Sequence, residues 1–399
     1  MSGSVGSAEK RRAGDAAVHV AKILLAVAVG IAGVGLLVTA IPEAIQGPNG
    51  SPPDSIGALQ EALRANTVSP YRWLELAEGY EQAAEIEKAR WCFHQAEEFG
   101  PNLPPVWIRA ATFHLRLGER EAGVRAGSHA QSLSDASDEF LFAYYDRFVE
   151  DTPLVIRILA DNQRSLTAYL RHLMAINKAD EAERTWTEIE RQGFSDPKLG
   201  IAYVEFLLAR RRYKIAEDVW VRNIPVNVRG GYPATNRIFN GGFEHPASGC
   251  RLDWKLTKMD SVEMERDHSV AKEGDFSLRL RFRGTENVSF QNVVQTIVTS
   301  AGNYRFSAWV KTEGITTDQG LRFCLVDAES PQKLNVEMES ISGTTGWVEV
   351  HRELAVPAQT NLLNLTVCRL PSLKFENKIS GTAWIDAVSM SRISSGFTR

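Results

Sequence analysis

The amino-acid sequence predicts a multidomain chain with one membrane-spanning helix, an all-α repeat region and a C-terminal all-β sandwich. Three observations predict it. An uncharged run of nineteen residues fills 23–41, apolar residues recur every 34 residues between 56 and 222, and beyond Gly230-Gly231 the text becomes short alternating segments broken by Gly, Pro, Asn and Asp.

The run Ile23 to Ile41 reads ILLAVAVGIAGVGLLVTAI. At about 1.5 Å of rise per residue, a helix of that length covers roughly the 30 Å hydrocarbon core of a bilayer. Lys10, Arg11, Arg12 and Lys22 precede it, and no Lys or Arg follows until Arg64. The positive-inside rule therefore leaves the tail 1–22 in the cytoplasm and exports the rest. A cleaved signal peptide is the alternative, because Val38-Thr39-Ala40 offers small residues to a peptidase. Residues 42–55 carry Pro42, Gly47, Pro48, Gly50, Pro52 and Pro53 and read as a spacer.

A composition of 44% hydrophobic and 24% charged residues over 399 positions is ordinary globular material, and a net charge of -4 supplies no broad basic surface for nucleic acid. Of the four cysteines, Cys92 stands alone in helical text, and Cys250, Cys324 and Cys368 leave an odd number in the C-terminal part. Cys324 and Cys368 could pair if their strands are neighbours; two buried thiols are the reading adopted.

The helical region occupies 56–222. Counted from Pro70, the residues Trp73, Leu76, Ala77, Tyr80, Ala89, Phe93, Ala96 and Pro101 fall at positions 4, 7, 8, 11, 20, 24, 27 and 32. This set resembles the tetratricopeptide repeat. Trp73, Leu76, Ala77 and Tyr80 line one face of a first helix, and Ala89, Phe93 and Ala96 face it from a second. A weaker copy follows with Trp107, Ala110, Ala111, Gly118 and Ala130, in which Gly123 and Gly127 replace the usual Ala and aromatic. Ala182 and Trp186 recur as Ala216 and Trp220, and the stretch 135–162 between the two sets is out of register. The expectation is a solenoid of four to five helix pairs, two of them degenerate, with a protein partner on its concave surface.

Residues 223–237 read as a linker, 238–393 as the sandwich and 394–399 as a tail. Ser277 to Arg283 alternates, with Leu278, Leu280 and Phe282 inward and Arg279, Arg281 and Arg283 outward. Asn303 to Lys311 sends Tyr304, Phe306, Ala308 and Val310 inward and Arg305, Ser307, Trp309 and Lys311 outward. The series Asn240-Gly-Gly-Phe-Glu244, Trp254, Gly274-Asp-Phe-Ser-Leu278, Gly302 to Lys311, Gly346-Trp347 and Ala383 to Ser389 resembles the jelly-roll carbohydrate-binding modules found beside xylanases and other glycosidases. The resemblance implies a structural calcium ion held by Glu244 and Asp386, although Ala387 stands where that family often has a second acidic or amide residue. It also implies that Trp254, Trp347 and Trp384 are structural.

No HExxH, P-loop, CxxC pair or GxSxG occurs. Glu337, Glu339, Glu349 and Glu353 supply carboxylates, but in alternating text that a solvated sheet face explains. Sugar recognition needs an exposed aromatic plane and a few planar polar groups. Trp309 is the candidate plane, and Arg305, Lys311, Arg279 and Arg281 are the candidate polar partners, suited also to an anionic polysaccharide. The expectation is a non-enzymatic adaptor, crossing a bacterial inner membrane once with its bulk periplasmic or extracellular, which joins a protein partner to a polysaccharide in cell-surface polysaccharide assembly or export. A pure protein scaffold with a structural sandwich and a glycoside-processing enzyme are the alternatives.

Overall fold

The computed structural model describes residues 55–393, so the cytoplasmic tail, the membrane span and nearly all of the spacer expected at its start, and the tail 394–399, lie outside the described residues. Among the described residues no helix is long and apolar enough to cross a membrane. The chain divides into two compact units after His172.

The first unit holds α1 (Ile56–Ala65), α2 (Pro70–Gln82), α3 (Ile86–Phe99), α4 (Pro104–Arg116), α5 (Arg120–Leu133), α6 (Asp138–Phe148), α7 (Thr152–Leu159) and most of α8 (Gln163–Ala175). Proline at the first position starts α2 and α4, where its missing N–H would have no partner anyway. The periodic residues bury as the pattern predicts: Trp73, Leu76, Ala77 and Tyr80 meet Ala89, Phe93 and Ala96 in the core of the first pair. Pairs begin at Pro70, Pro104 and Asp138, so the third starts in register after all. It is cut short by the eight-residue α7, and the fourth pair begins early, at Gln163.

The glycines of the second pair have a packing reason. A Cβ on Gly123 would lie 2.5 Å from Leu115 Cγ, and one on Gly127 would lie 2.1 Å from the Tyr145 hydroxyl. Leu115 and Tyr145 occupy the volume that the usual Ala and aromatic fill in the first pair, so only hydrogen fits.

The second unit begins with α9 (Ala179–Gln192), α10 (Pro197–Ala209), α11 (Tyr213–Asn223) and the short α12 (Val226–Arg229). Trp186 and Trp220 are buried as expected, Trp186 stacking on Tyr203 at 4.8 Å. Ten strands follow: β1 (Lys255–Leu256), β2 (Val262–Asp267), β3 (Ser277–Arg283), β4 (Phe290–Val298), β5 (Gly302–Ile315), β6 (Arg322–Asp327), β7 (Asn335–Glu337), β8 (Gly343–Val356), β9 (Leu362–Arg369) and β10 (Ser380–Arg392). They form two five-stranded antiparallel sheets, β1-β4-β9-β6-β7 and β2-β3-β10-β5-β8. Leu278, Leu280, Phe282, Tyr304, Phe306, Ala308 and Val310 all point into the core, and Phe306 meets Phe323 of the opposite sheet at 5.2 Å. Met390 on β10 closes the domain on itself, accepting from Arg237 N at 2.7 Å and donating to Asn236 Oδ1 at 3.0 Å.

The region expected as a linker is more ordered than a spacer. Tyr232 is buried against Phe239, which in turn meets Trp220 of α11 at 5.5 Å. Two ion pairs join the same helices to the sandwich: Arg237 Nη2 with Glu217 Oε1 at 2.6 Å, and Arg251 Nε with Glu205 Oε2 at 2.5 Å.

Cys324 and Cys368 are not the buried thiols expected. They form a disulfide between β6 and β9. Register decides it: Cys324 sits opposite Thr366 and Arg322 opposite Cys368, which leaves the two cysteines as diagonal neighbours with Cα atoms 6.4 Å apart. Cys92 and Cys250 are free and buried.

Candidate functional site

β10 lies between β3 and β5, and this order assembles the predicted residues on one face. Trp384 of β10 is registered against Arg279 on one side and Lys311 on the other; Asp386 is registered against Trp309, and Thr382 against Arg281. Trp309 is half-buried and points away from the core, as alternation requires. The Lys272 ammonium lies 4.0 Å from the centroid of its ring. Lys311 stands 5.2 Å over the ring of Trp384 in the same way.

Two tryptophans depart from the expectation of a core role. Trp384 is buried but on this outer face, beneath Lys311, with its indole N–H donating to Asp267 Oδ2 at 2.8 Å. Trp347 is only half-buried. Trp254 is in the core as expected, stacked on Phe243 at 5.0 Å. Asp267 is the pivot under Trp384. Burial alone would push its carboxyl up, but hydrogen bonds from Ser269 and Trp384 and the nearby Arg279 guanidinium hold it down at about 2.

The predicted arginines are compensated within the sheet. Arg279 pairs with Glu265 and lies 3.6 Å from Asp267, Arg281 reaches Glu263 at 3.6 Å, and Arg305 bonds Glu349 at 3.2 Å. Lys272 and Lys311 differ: among the described residues neither has a carboxylate partner, and each rests on an indole ring. Sequence reasoning missed Lys272 because it belongs to the loop between β2 and β3 and reaches Trp309 only through the fold. It missed Trp384 because alternation reports which way a side chain points only when the neighbouring strands are known.

Glu244 and Asp386 come together at one corner. Asp386 Oδ2 accepts from Lys272 N at 2.6 Å and Glu273 N at 3.0 Å, and Glu244 Oε1 accepts from Asp275 N at 3.1 Å and Phe276 N at 3.2 Å. Burial, with Glu244 as a lesser cause, raises the Asp386 carboxyl despite its backbone donors. The backbone of Gly242 runs beside both carboxylates: a Cβ there would lie 3.5 Å from Asp386 Oδ1 and 3.6 Å from Glu244 Oε1, in ordinary contact with each. The donor set suits a hard cation in charge and element. It supplies two carboxylates where calcium takes six to eight oxygens, so backbone carbonyls and water must complete any shell.

A second surface lies on the first helix pairs. Leu63, Arg64, Trp73, Tyr80, Lys88 and Trp91 line a cleft of about 420 Å³. Trp91 is 55% exposed and meets Trp73 edge-on at 5.1 Å. Its signal was available in the sequence: Trp91 falls off the Ala89, Phe93, Ala96 stripe, so an aromatic ring there has no core to enter.

No protein-family model and no curated protein matches the chain. Solved structures that it is similar to include TmCBM61 in complex with β-1,4-galactotriose, at 20% identity over 40% of this chain and 100% of that one, with a TM-score of 0.28. A family 16 carbohydrate-binding module is 12% identical over 39% of this chain and 100% of its own, with a TM-score of 0.30. The enzymatically active domain of bacteriophage CBA120 tailspike protein 4 is 16% identical over 40% of this chain, with a TM-score of 0.29, and the chain spans only 22% of its length.

Proposed function

We propose that the protein is a membrane-anchored, exported, non-enzymatic adaptor whose sandwich binds an anionic polysaccharide and whose tetratricopeptide-like helix pairs bind a protein partner. One observation carries the glycan reading: Trp309 and Trp384 lie on one sheet face, each under a lysine ammonium with no carboxylate partner among the described residues. A uronate or sulfate group satisfies the lysines, and Lys272 swinging aside uncovers an indole plane for a pyranose ring. The ion pairs of Arg305 with Glu349 and Arg322 with Glu337 at 3.3 Å favour a solvated face over paired catalytic carboxylates.

The decisive measurement is titration of the full chain with acidic and neutral polysaccharides at two salt concentrations. Acidic chains bind, binding weakens about tenfold in Lys272→Ala/Lys311→Ala, and Trp309→Ala abolishes it with the circular dichroism unchanged. Equal affinity for neutral chains and indifference to salt would sink the anionic reading.

The scaffold reading has its own support in the aromatic cleft, which fits an apolar segment of a partner protein. It does not need the Trp309 face, because the sandwich meets α10 and α11 elsewhere, through Arg251 and Arg237. Export is supported by the disulfide, which persists in oxidising compartments. Calcium, if bound by Glu244 and Asp386, would staple the start of the sandwich to its last strand. Millimolar calcium is then expected to raise the Tm by several degrees, an increment that Asp386→Asn abolishes.

A further inference from the structure

The connection from β9 to β10 ends in a protrusion that the functions above do not use. Leu373 and Phe375 at its tip are each 101% exposed, with Lys374 between them and Lys378 beyond. The base of the protrusion is tied to the domain by side-chain hydrogen bonds. Arg369, wholly buried, donates to Gln319 O and Asn377 O at 3.1 Å and to Asn287 Oδ1 at 3.0 Å. Asn287 also accepts from Ser372 N at 2.9 Å and donates to Ser372 O at 2.8 Å, while Ser372 Oγ donates to Asp318 at 2.6 Å. These bonds fix the two ends of the tip, Ser372 and Asn377, and Leu373 and Phe375 between them face water.

We propose that this protrusion is a lipid-contacting wedge, with Leu373 and Phe375 entering the headgroup region of a phospholipid bilayer and Lys374 and Lys378 lying against its phosphates. The proposal rests on the anchored reading of residues 23–41. Size argues for lipid over protein: a stable protein interface buries roughly 800 Å² on each side, far more than two side chains offer. A bilayer is a solvent, and each apolar group that enters it counts separately. Charge agrees in part, since the tip carries two lysines against Glu376, with Asp318 3.6 Å from Lys374 at its base. Contact this small is weak alone, and the tether makes it sufficient by keeping lipid at high local concentration.

The test uses the full chain reconstituted into phosphatidylcholine vesicles with and without phosphatidylglycerol. Phe375→Cys carries an environment-sensitive fluorophore and Lys333→Cys serves as control; Cys92 and Cys250 are buried and the other two cysteines are bonded to each other, so the label is confined to the new site. Expected are quenching by nitroxide lipid several-fold stronger at 375 than at 333, shielding of 375 from iodide, and an increase with phosphatidylglycerol that Lys374→Gln/Lys378→Gln removes. Chains that float with the vesicles yet leave 375 open to iodide overturn the wedge and keep the anchor. Chains that do not float overturn both. Rapid disulfide cross-linking between unlabelled Phe375→Cys chains overturns it in favour of contact between copies.

Discussion

Asp267 shows how one side chain sets the chemistry of a sheet face. Its carboxylate holds the indole of Trp384 and sits near Arg279, and its folded pKa of about 2 lies below the ordinary value of 3.8. The ionised form is therefore favoured by folding. It contributes on the order of 2 kcal/mol above about pH 4, lost as pH falls toward 2. Urea unfolding followed by tryptophan emission is expected to show that acid loss, and Asp267→Asn is expected to flatten it while lowering stability at pH 7. The sequence marked Trp309 correctly as outward but could not show that Lys272 covers it. Side-chain direction is a local property of a strand, whereas a cation over a ring depends on a loop 37 positions away in the sequence. At Gly127 the same limit applied to a helix: the missing aromatic was legible, and the Tyr145 hydroxyl that takes its place was not. Gly127→Ala is expected to overpack that contact and cost about 1–3 kcal/mol in thermal or urea unfolding.

Strands and helices were the most legible elements, because periodicity is read within a few residues. Alternation named the inward residues of β3 and β5, and the 34-residue count named the buried faces of the first helix pair. What failed were properties shared between elements. The pairing of Cys324 with Cys368 needed β6 and β9 to be neighbours in a given register, which no local pattern encodes. The third helix pair looked out of register because the short α7 removes part of the repeat, although α6 begins on time. The disulfide closes a separation of 44 residues, and its removal by Cys324→Ser/Cys368→Ser is expected to cost about 2–4 kcal/mol, read as a lower urea midpoint.

At the scale of the molecule, composition places the change from helices to strands near Gly230, while compactness places the division after His172. The difference is physical. Arg237 with Glu217, Arg251 with Glu205, and Phe239 with Trp220 join α10 and α11 to the sandwich that follows them. A fragment covering 173–393 is thus expected to unfold in one transition at a higher temperature than a fragment covering 238–393, which scanning calorimetry would compare directly. The backbone tie between Arg237 and Met390 also has a consequence for engineering. Chain enters and leaves the sandwich at one point, so topologically the domain is a cassette that could be inserted into another protein's loop. Electrostatically it is not self-contained: a transplant would carry the guanidiniums of Arg237 and Arg251 away from their carboxylates. Portability needs those two arginines replaced and new cover for Phe239, which packs on Trp220, with no strand redesigned.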